Sequence, residues 1–326
     1  MLQIATYNFK AILEGCLSLV PGGKRLFRRG TRGSESARYC YSVWLRHVVR
    51  TQMYRKVPLD GVVVELGPGD SLGMGLAALL SGARQYIAVD VVSHASAIHN
   101  LAVFDELVRL FSERAAIPDG QEFPLIKPDL DDYAFPEEIL DQQCLARSLA
   151  AERLAAIRAS LLGEGPEVGE PLVRYVDPNT AEALIEANSV DWVFSQAVLE
   201  HVDDLIGTYG ACHAWLKPGA ITSHDVDFKS HGTSRVWNGH WAYPDLVWRL
   251  LRGRRPYLLN REPCAVHLQG MADAGFEILS VERVRKPSQL RRAQLARRFR
   301  SIGDDDLTTA SAFVVARKPA GDKLGH

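Results

Sequence analysis

Cysteine is sparse and scattered in this chain. Cys16, Cys40, Cys144, Cys212 and Cys264 are odd in number and contain no C-x-x-C pair, which argues against a disulfide framework and against a structural zinc site. No run of about twenty apolar residues occurs, so nothing reads as a membrane-spanning helix, and Lys10 and Glu14 interrupt the apolar N-terminal stretch that a signal peptide would need. Charge of one sign is also missing. Thirty-eight Lys and Arg against 39 Asp and Glu leave a net charge of -1, which carries no global nucleic-acid signature. Internal repeats and low-complexity tracts are absent as well. These absences leave a protein of the reducing cytoplasm that is soluble or at most surface-associated.

What is present is ample apolar content. A chain of 326 residues with 47% apolar side chains can bury a large core. Buried-strand patterns near 61–66, 85–90, 172–176, 190–195, 220–227, 276–283 and 310–317, separated by helical periodicity, predict an α/β, doubly wound, Rossmann-like sheet of seven strands. One elaborated domain over 58–326 is expected, preceded by a helical extension over 1–57 and interrupted by a helical insertion at about 93–170.

The sharpest local signal is V-V-V-E-L-G-P-G-D-S at 62–71. Val62 to Glu65 reads as a buried parallel strand, Gly67-Pro68-Gly69 as a tight turn against a ligand, and Asp70 or Ser71 as the cap of the next helix. A dinucleotide fingerprint would need a third glycine at position 72, which is Leu72. A nucleotide-type cofactor without a pyrophosphate fits better. Downstream, Gln85-Tyr-Ile-Ala-Val-Asp90 is a second strand ending in a carboxylate, at about the spacing of a ribose ligand. One carboxylate can accept from both ribose hydroxyls.

With E-L-G-P-G at 65–69, Asp90, S-V-D-W-V-F-S at 189–195 leading into Q-A-V-L-E-H-V, and W-L-K-P-G-A at 215–220, the chain resembles the class I S-adenosylmethionine-dependent methyltransferases. The resemblance covers roughly 58–95 and 172–284, plus a last strand near 310–317, and departs at Ser71, where many members carry a third glycine. It implies S-adenosyl-L-methionine as cofactor and an antiparallel pair at the edge of the sheet. It also implies that Glu65, Gly67 and Gly69 shape the methionine and ribose end, that Asp90 holds the ribose, that Asp177 lies near the adenine amino group, and that Ser195 and Gln196 close the site. Asp191 fits either a site role or a strand start.

For a proton acceptor the best-placed group is S-H-D-V-D-F at 223–228. Strand alternation puts Asp225 and Asp227 on one face and His224 on the other. His224 has an ordinary pKa suited to taking a hydroxyl proton; the aspartates could instead hold a divalent metal, or all three could close the strand end. No metal-ligand set stands out. His201 in L-E-H-V reads as a packing or rim residue. His231, His240, Arg235, Trp237, Asn238 and Trp241 form an aromatic, polar loop that suits stacking on a sugar ring, although Trp237 and Trp241 could equally be one buried helix face.

Three additions lie outside the core motifs. Ile4, Phe9, Ile12, Leu13, Leu17 and Val20 sit at near-helical spacing, ended by Pro21-Gly-Gly23 and followed by a basic run from Lys24 to Arg32. That helix either packs on the domain or touches a membrane surface. Residues 36–44 read as part of a lid. In the insertion, helices are expected over 98–111 and 145–162 with a proline-bearing connector, and His94, His99 and Asp105 as surface or structural residues. The arginine-rich stretch 285–300 reads as a basic helix, open to a phosphorylated acceptor or neutralised by Asp304-Asp-Asp306. The expected activity is methyl transfer to oxygen of a sugar or other small molecule. A lipid-type or non-oxygen acceptor, or a non-catalytic cofactor-binding module, remains the alternative, and a nicotinamide enzyme is disfavoured by Leu72.

Overall fold

The computed structural model describes residues 6–20, 34–91, 96–164, 170–255 and 257–320. In chain order its helices and strands are α1 (Phe9–Ser18), α2 (Ala37–Tyr54), β1 (Val62–Leu66), α3 (Gly73–Leu80), β2 (Gln85–Val89), α4 (Ala97–Ser112), α5 (Gln142–Ser148), α6 (Ala151–Leu161), β3 (Val173–Val176), α7 (Pro178–Leu184), β4 (Val190–Gln196), α8 (Leu205–Trp215), β5 (Leu216–Asp227), α9 (Asp245–Arg252), α10 (Cys264–Asp273), β6 (Glu277–Arg285), α11 (Asp304–Thr308) and β7 (Thr309–Arg317).

The strands form one seven-stranded sheet in the order β3-β2-β1-β4-β5-β7-β6. All neighbours are parallel except β7, which runs antiparallel to both β5 and β6. The order reverses between β1 and β4, and there the carboxyl ends of a doubly wound sheet open a ligand crevice. Apolar runs on β1 and β2 are buried along their whole length because helices cover both faces. On one face Val63, Tyr86, Trp192 and Phe194 pack with α2, α3 and α4. On the other, Val64, Val193 and Val226 pack with α8 and α10. A third, smaller core joins α1 and α9 to Leu290, Leu295 and Phe299.

Expected strands and observed strands agree in number and place; the helices differ in three respects. The periodic stretch 145–162 is two helices, because the chain turns at Leu149 and Ala150 before α6 begins. Residues 285–300 form no helix of their own length: Pro287 follows β6, and only single 3₁₀ turns occur at Arg292–Gln294 and Arg297–Phe299. Three of their six arginines pair with acids, Arg285 with Asp305 at 3.1 Å, Arg292 with Asp304 and Arg298 with Glu262. Helix α1 ends at Ser18, ahead of Pro21. Ile4, Pro21-Gly-Gly23, the basic run from Lys24 to Arg32 and His94 lie outside the described residues.

Candidate functional site

The glycine turn follows β1 and is built so that only glycine fits. Gly67 and Gly69 have φ of 62° and 76°, a region that side chains disfavour. A Cβ on Gly67 would also meet the methyl carbons of Val198 at 2.7 and 2.8 Å. The turn is held from α2's side, where Ser34 Oγ accepts from the amides of Asp70 and Ser71 at 2.8 and 3.2 Å. Capping of α3 is shared: Ser71 Oγ accepts from Gly73 N at 3.1 Å and Asn100 Oδ1 from Leu72 N at 3.0 Å. Residues 36–44, read from the sequence as lid, begin α2, whose Tyr41 and Trp44 are wholly buried. This segment forms a packed wall of the cleft.

Glu65, at the carboxyl end of β1, is fully buried. Tyr86 Oη donates to its Oε2 at 2.6 Å, while Oε1 completes no hydrogen bond among the described residues. Burial pushes its pKa up to about 8, against the pull of the Tyr86 hydroxyl and the Gly75 amide. Asp90 follows β2 and is half-buried at the crevice, with Tyr175 and Tyr257 sensing its charge. Asp177, after β3, caps α7: its Oδ1 accepts from Asn179 N at 2.8 Å and Asn179 Nδ2 at 2.7 Å. Asp191 is a strand-start residue, not a site residue. Its carboxylate accepts from Val62 N at 2.8 Å and pairs with Lys217 at 2.7 Å, at the amino end of the sheet.

The fifth strand separates its polar residues as alternation requires. His224 turns toward α8, where Ser195 Oγ meets its Nδ1 at 2.7 Å and Thr222 Oγ1 its Nε2 at 2.6 Å. Both ring nitrogens are engaged, and burial, with His47 and His267 nearby, lowers its pKa to about 3. Asp225 turns to the opposite face. Gln196 Nε2 donates to its Oδ2 at 2.7 Å, and its Oδ1 has no partner among the described residues. Burial, then the charge of Asp227, pushes Asp225 up to about 8. Asp227 itself is held down to about 2 despite desolvation, since His231 at 3.2 Å and Lys229 at 2.8 Å favour its ionised form.

Sequence reasoning missed His47. From the middle of α2 its Nδ1 lies 2.8 Å from Ser223 Oγ and its Nε2 3.1 Å from Gln196 Oε1, so a buried chain runs Ser223–His47–Gln196–Asp225. Nothing local marks a histidine for contacts across 149 and 176 positions. Tyr39, also on α2, lies close enough to Asp225, Glu65 and Glu200 that their charges add to the burial that raises its pKa.

A second acidic pocket adjoins. Glu200 is 3% exposed. Neither of its carboxylate oxygens completes a hydrogen bond of ordinary geometry, the nearest donors being the amides of Glu200 and Asp227. Glu200, His201 and His231 each bring one ligand atom within 4.8 Å of the others, the group among the described residues that could hold a metal. The loop after α9 closes over it: Asn260 N donates to Glu200 O at 2.7 Å and Asn260 Nδ2 to Leu199 O at 2.8 Å. Trp241 is not a stacking surface. It is wholly buried with Nε1 donating to Arg261 O at 2.9 Å, and His240 beside it is buried as well. Trp237 is half-buried and donates to Pro287 O at 2.9 Å.

A family model described as "Methyltransferase domain" matches residues 134–223, a span that holds β3, β4 and the L-E-H-V turn. No curated protein sequence matches the chain. Among solved structures, an S-adenosylmethionine-dependent methyltransferase from Mesorhizobium loti shares 17% identity and a TM-score of 0.41, with 83% of this chain and 97% of that one covered. One from Methanosarcina mazei shares 12% identity at a TM-score of 0.43, covering 82% and 97%. A Haemonchus contortus phosphoethanolamine N-methyltransferase 2 in complex with S-adenosyl-L-methionine shares 15% at 0.42, covering 88% and 58%. The family match over 134–223, the strand order with its one antiparallel member, and a glycine turn that joins a buried acid to a second strand ending in Asp90 accord with the fold of the class I S-adenosylmethionine-dependent methyltransferases that the sequence resembles.

Proposed function

We propose that the acceptor is a hydroxyl of a sugar or similar small molecule and that Asp225 takes its proton. The carrying observation is Asp225 itself: a buried carboxyl at the carboxyl end of β5, fixed through one oxygen by Gln196, open at the other, and raised to about 8. A carboxyl tuned near neutrality is suited to accept a proton during transfer. S-adenosylmethionine supplies a methyl group already activated on a sulfonium. The chain's part is to hold the acceptor in line, exclude water and receive the proton.

Glu65, Gly67, Gly69, Asp90, Asp177 and Gln196 form the cofactor side in this reading, with Ser195, its hydroxyl spent on His224, positioning Gln196. Buried acids that lack full compensation, Glu65, Asp225 and Glu200, make a cleft in which a cation relieves their desolvation. His224 is not the acceptor of the proton here, since both its nitrogens are occupied on the far face. A polar rim of Lys229, His231 and Asn260 with the exposed ring of Tyr257 supports a sugar-like acceptor over a lipid-type one. Five unpaired cysteines support a cytoplasmic setting.

A second reading rests on Glu200, His201 and His231, whose unsatisfied carboxylate and two imidazoles could hold a divalent metal that acidifies the acceptor hydroxyl. The pH profile separates the two. With Asp225 as base, kcat/KM rises about tenfold per pH unit toward a plateau above about pH 8, because only the ionised carboxylate accepts, and chelator has no effect. Chelator-sensitive turnover, lost also in Glu200→Gln, replaces the base by the metal. A flat profile with full turnover in Asp225→Asn removes the base, and a product methylated on nitrogen removes the hydroxyl acceptor.

A further inference from the structure

We propose that the outward faces of α1 and α9 dock on an anionic phospholipid surface. Helix α1 is oriented opposite to the usual surface helix. Its small residues Ala11, Gly15 and Ser18 are buried, while Phe9, Leu13, Leu17 and Val20 are 55%, 59%, 45% and 57% exposed. At 100° per residue Phe9, Leu13 and Leu17 fall on one stripe within about 80°, and Val20 lies just beyond the helix end. Helix α9 runs beside it in the same direction: Asn8 N donates to Tyr243 Oη at 2.7 Å at one end and Arg254 N to Ser18 Oγ at 2.8 Å at the other. The approach is close because a Cβ on Gly15 would strike the carbonyls of Leu250 and Leu251. On α9, Leu246 and Leu250, one helical turn apart, are 68% and 40% exposed.

Charge selects the occupant. Lys10, Arg249 and Arg254 are exposed around these rows, whereas the acids nearby are spent, Glu14 on Arg255 at 3.3 Å and Asp245 on Arg261 at 2.7 Å. An apolar row bordered by cations fits the boundary between acyl chains and anionic headgroups. A second copy fits less well, since a two-fold contact would bring the same cations together. No described helix is long and apolar enough to cross a membrane, so the contact lies in the plane of the interface. It would hold a catalytic domain beside a membrane without anchoring it there, and it stands apart from the methyl-transfer reading.

Flotation of the full chain with vesicles of phosphatidylcholine, with and without phosphatidylglycerol, tests this. Binding is expected only with the anionic lipid and should fall as salt rises. Leu13→Glu with Leu17→Glu should lower it at least tenfold. Both side chains are exposed, so circular dichroism should stay that of wild type. Arg249→Gln should lower it about fivefold, the loss of one surface cation. Absence of binding to either vesicle overturns the proposal, as does equal binding by the double variant. A concentration-dependent dimer that Leu13→Glu abolishes, with vesicle binding absent, assigns the face to a second copy instead.

Discussion

His224 and Asp225 are neighbours in sequence that stand on opposite faces of one strand, and the two faces treat burial differently. Toward α8, His224 is enclosed with a partner on each nitrogen, and its low pKa keeps it neutral. Toward α2, Asp225 has one oxygen fixed and one open, and Glu65 on the same face repeats the pattern. A buried polar group left half-satisfied is costly. Nothing in packing alone favours keeping two such carboxyls at adjoining strand ends. What the contrast teaches is that asking which polar groups remain unsatisfied singles out Asp225 on β5, where residue type by itself favours His224.

The contrast can be broken most directly at Asp225. Asp225→Asn keeps the shape and the contact with Gln196 but cannot take a proton, so turnover should fall on the order of 10²–10⁴-fold while binding of S-adenosylhomocysteine in calorimetry stays near wild type. Next in size is the cofactor end. Asp90→Ala should weaken S-adenosylmethionine by roughly 3–6 kcal/mol, from two charge-assisted hydrogen bonds at about 1.5–3 kcal/mol each, and unchanged affinity would remove its ribose role.

Gly67→Ala comes third. It places a Cβ against Val198 at a φ of 62°, so about 1–3 kcal/mol of stability should go with the cofactor affinity. Adding Val198→Ala should recover the steric part and leave the backbone part, read by chemical denaturation. The smallest functional effect is expected on the closed face. His224→Gln should lower stability by about 1–3 kcal/mol through its two lost hydrogen bonds and leave kcat within a few-fold. A large fall in kcat with stability intact would return the catalytic role to His224 and dissolve the contrast.

The frame of the fold was legible because its signals are local. Val62 to Glu65, the two glycines and Asp90 declare a strand, a turn and a strand within thirty residues. Alternation along 223–227 correctly divided His224 from the two aspartates. What stayed hidden depends on what packs from elsewhere in the chain. His47 reaches Gln196 only because α2 lies across the sheet, and Trp241 is core because α9 and the 290–302 segment enclose it. The basic stretch 285–300 failed as a helix since Pro287 and pairing with Asp304, Asp305 and Glu262 hold it otherwise. The break at Leu149 and Ala150 carries no composition signal.

Asp191 sits as far from the chemistry as the sheet allows, and it acts as the datum from which the cleft is measured. By receiving the amide of Val62 while clasped by Lys217, it aligns the first residues of β1 and β4, and the absent side chain at Gly61 leaves it room to do so. From that mark the two strands run in step, Val63 beside Trp192 through Leu66 beside Ser195. A slip of one residue would turn every side chain of a strand to the other face. Glu65 would then point into the α8 side and Gln196 would lose Asp225. The spacing of the reacting groups is thus gauged at the opposite rim, by a carboxylate that meets neither cofactor nor acceptor.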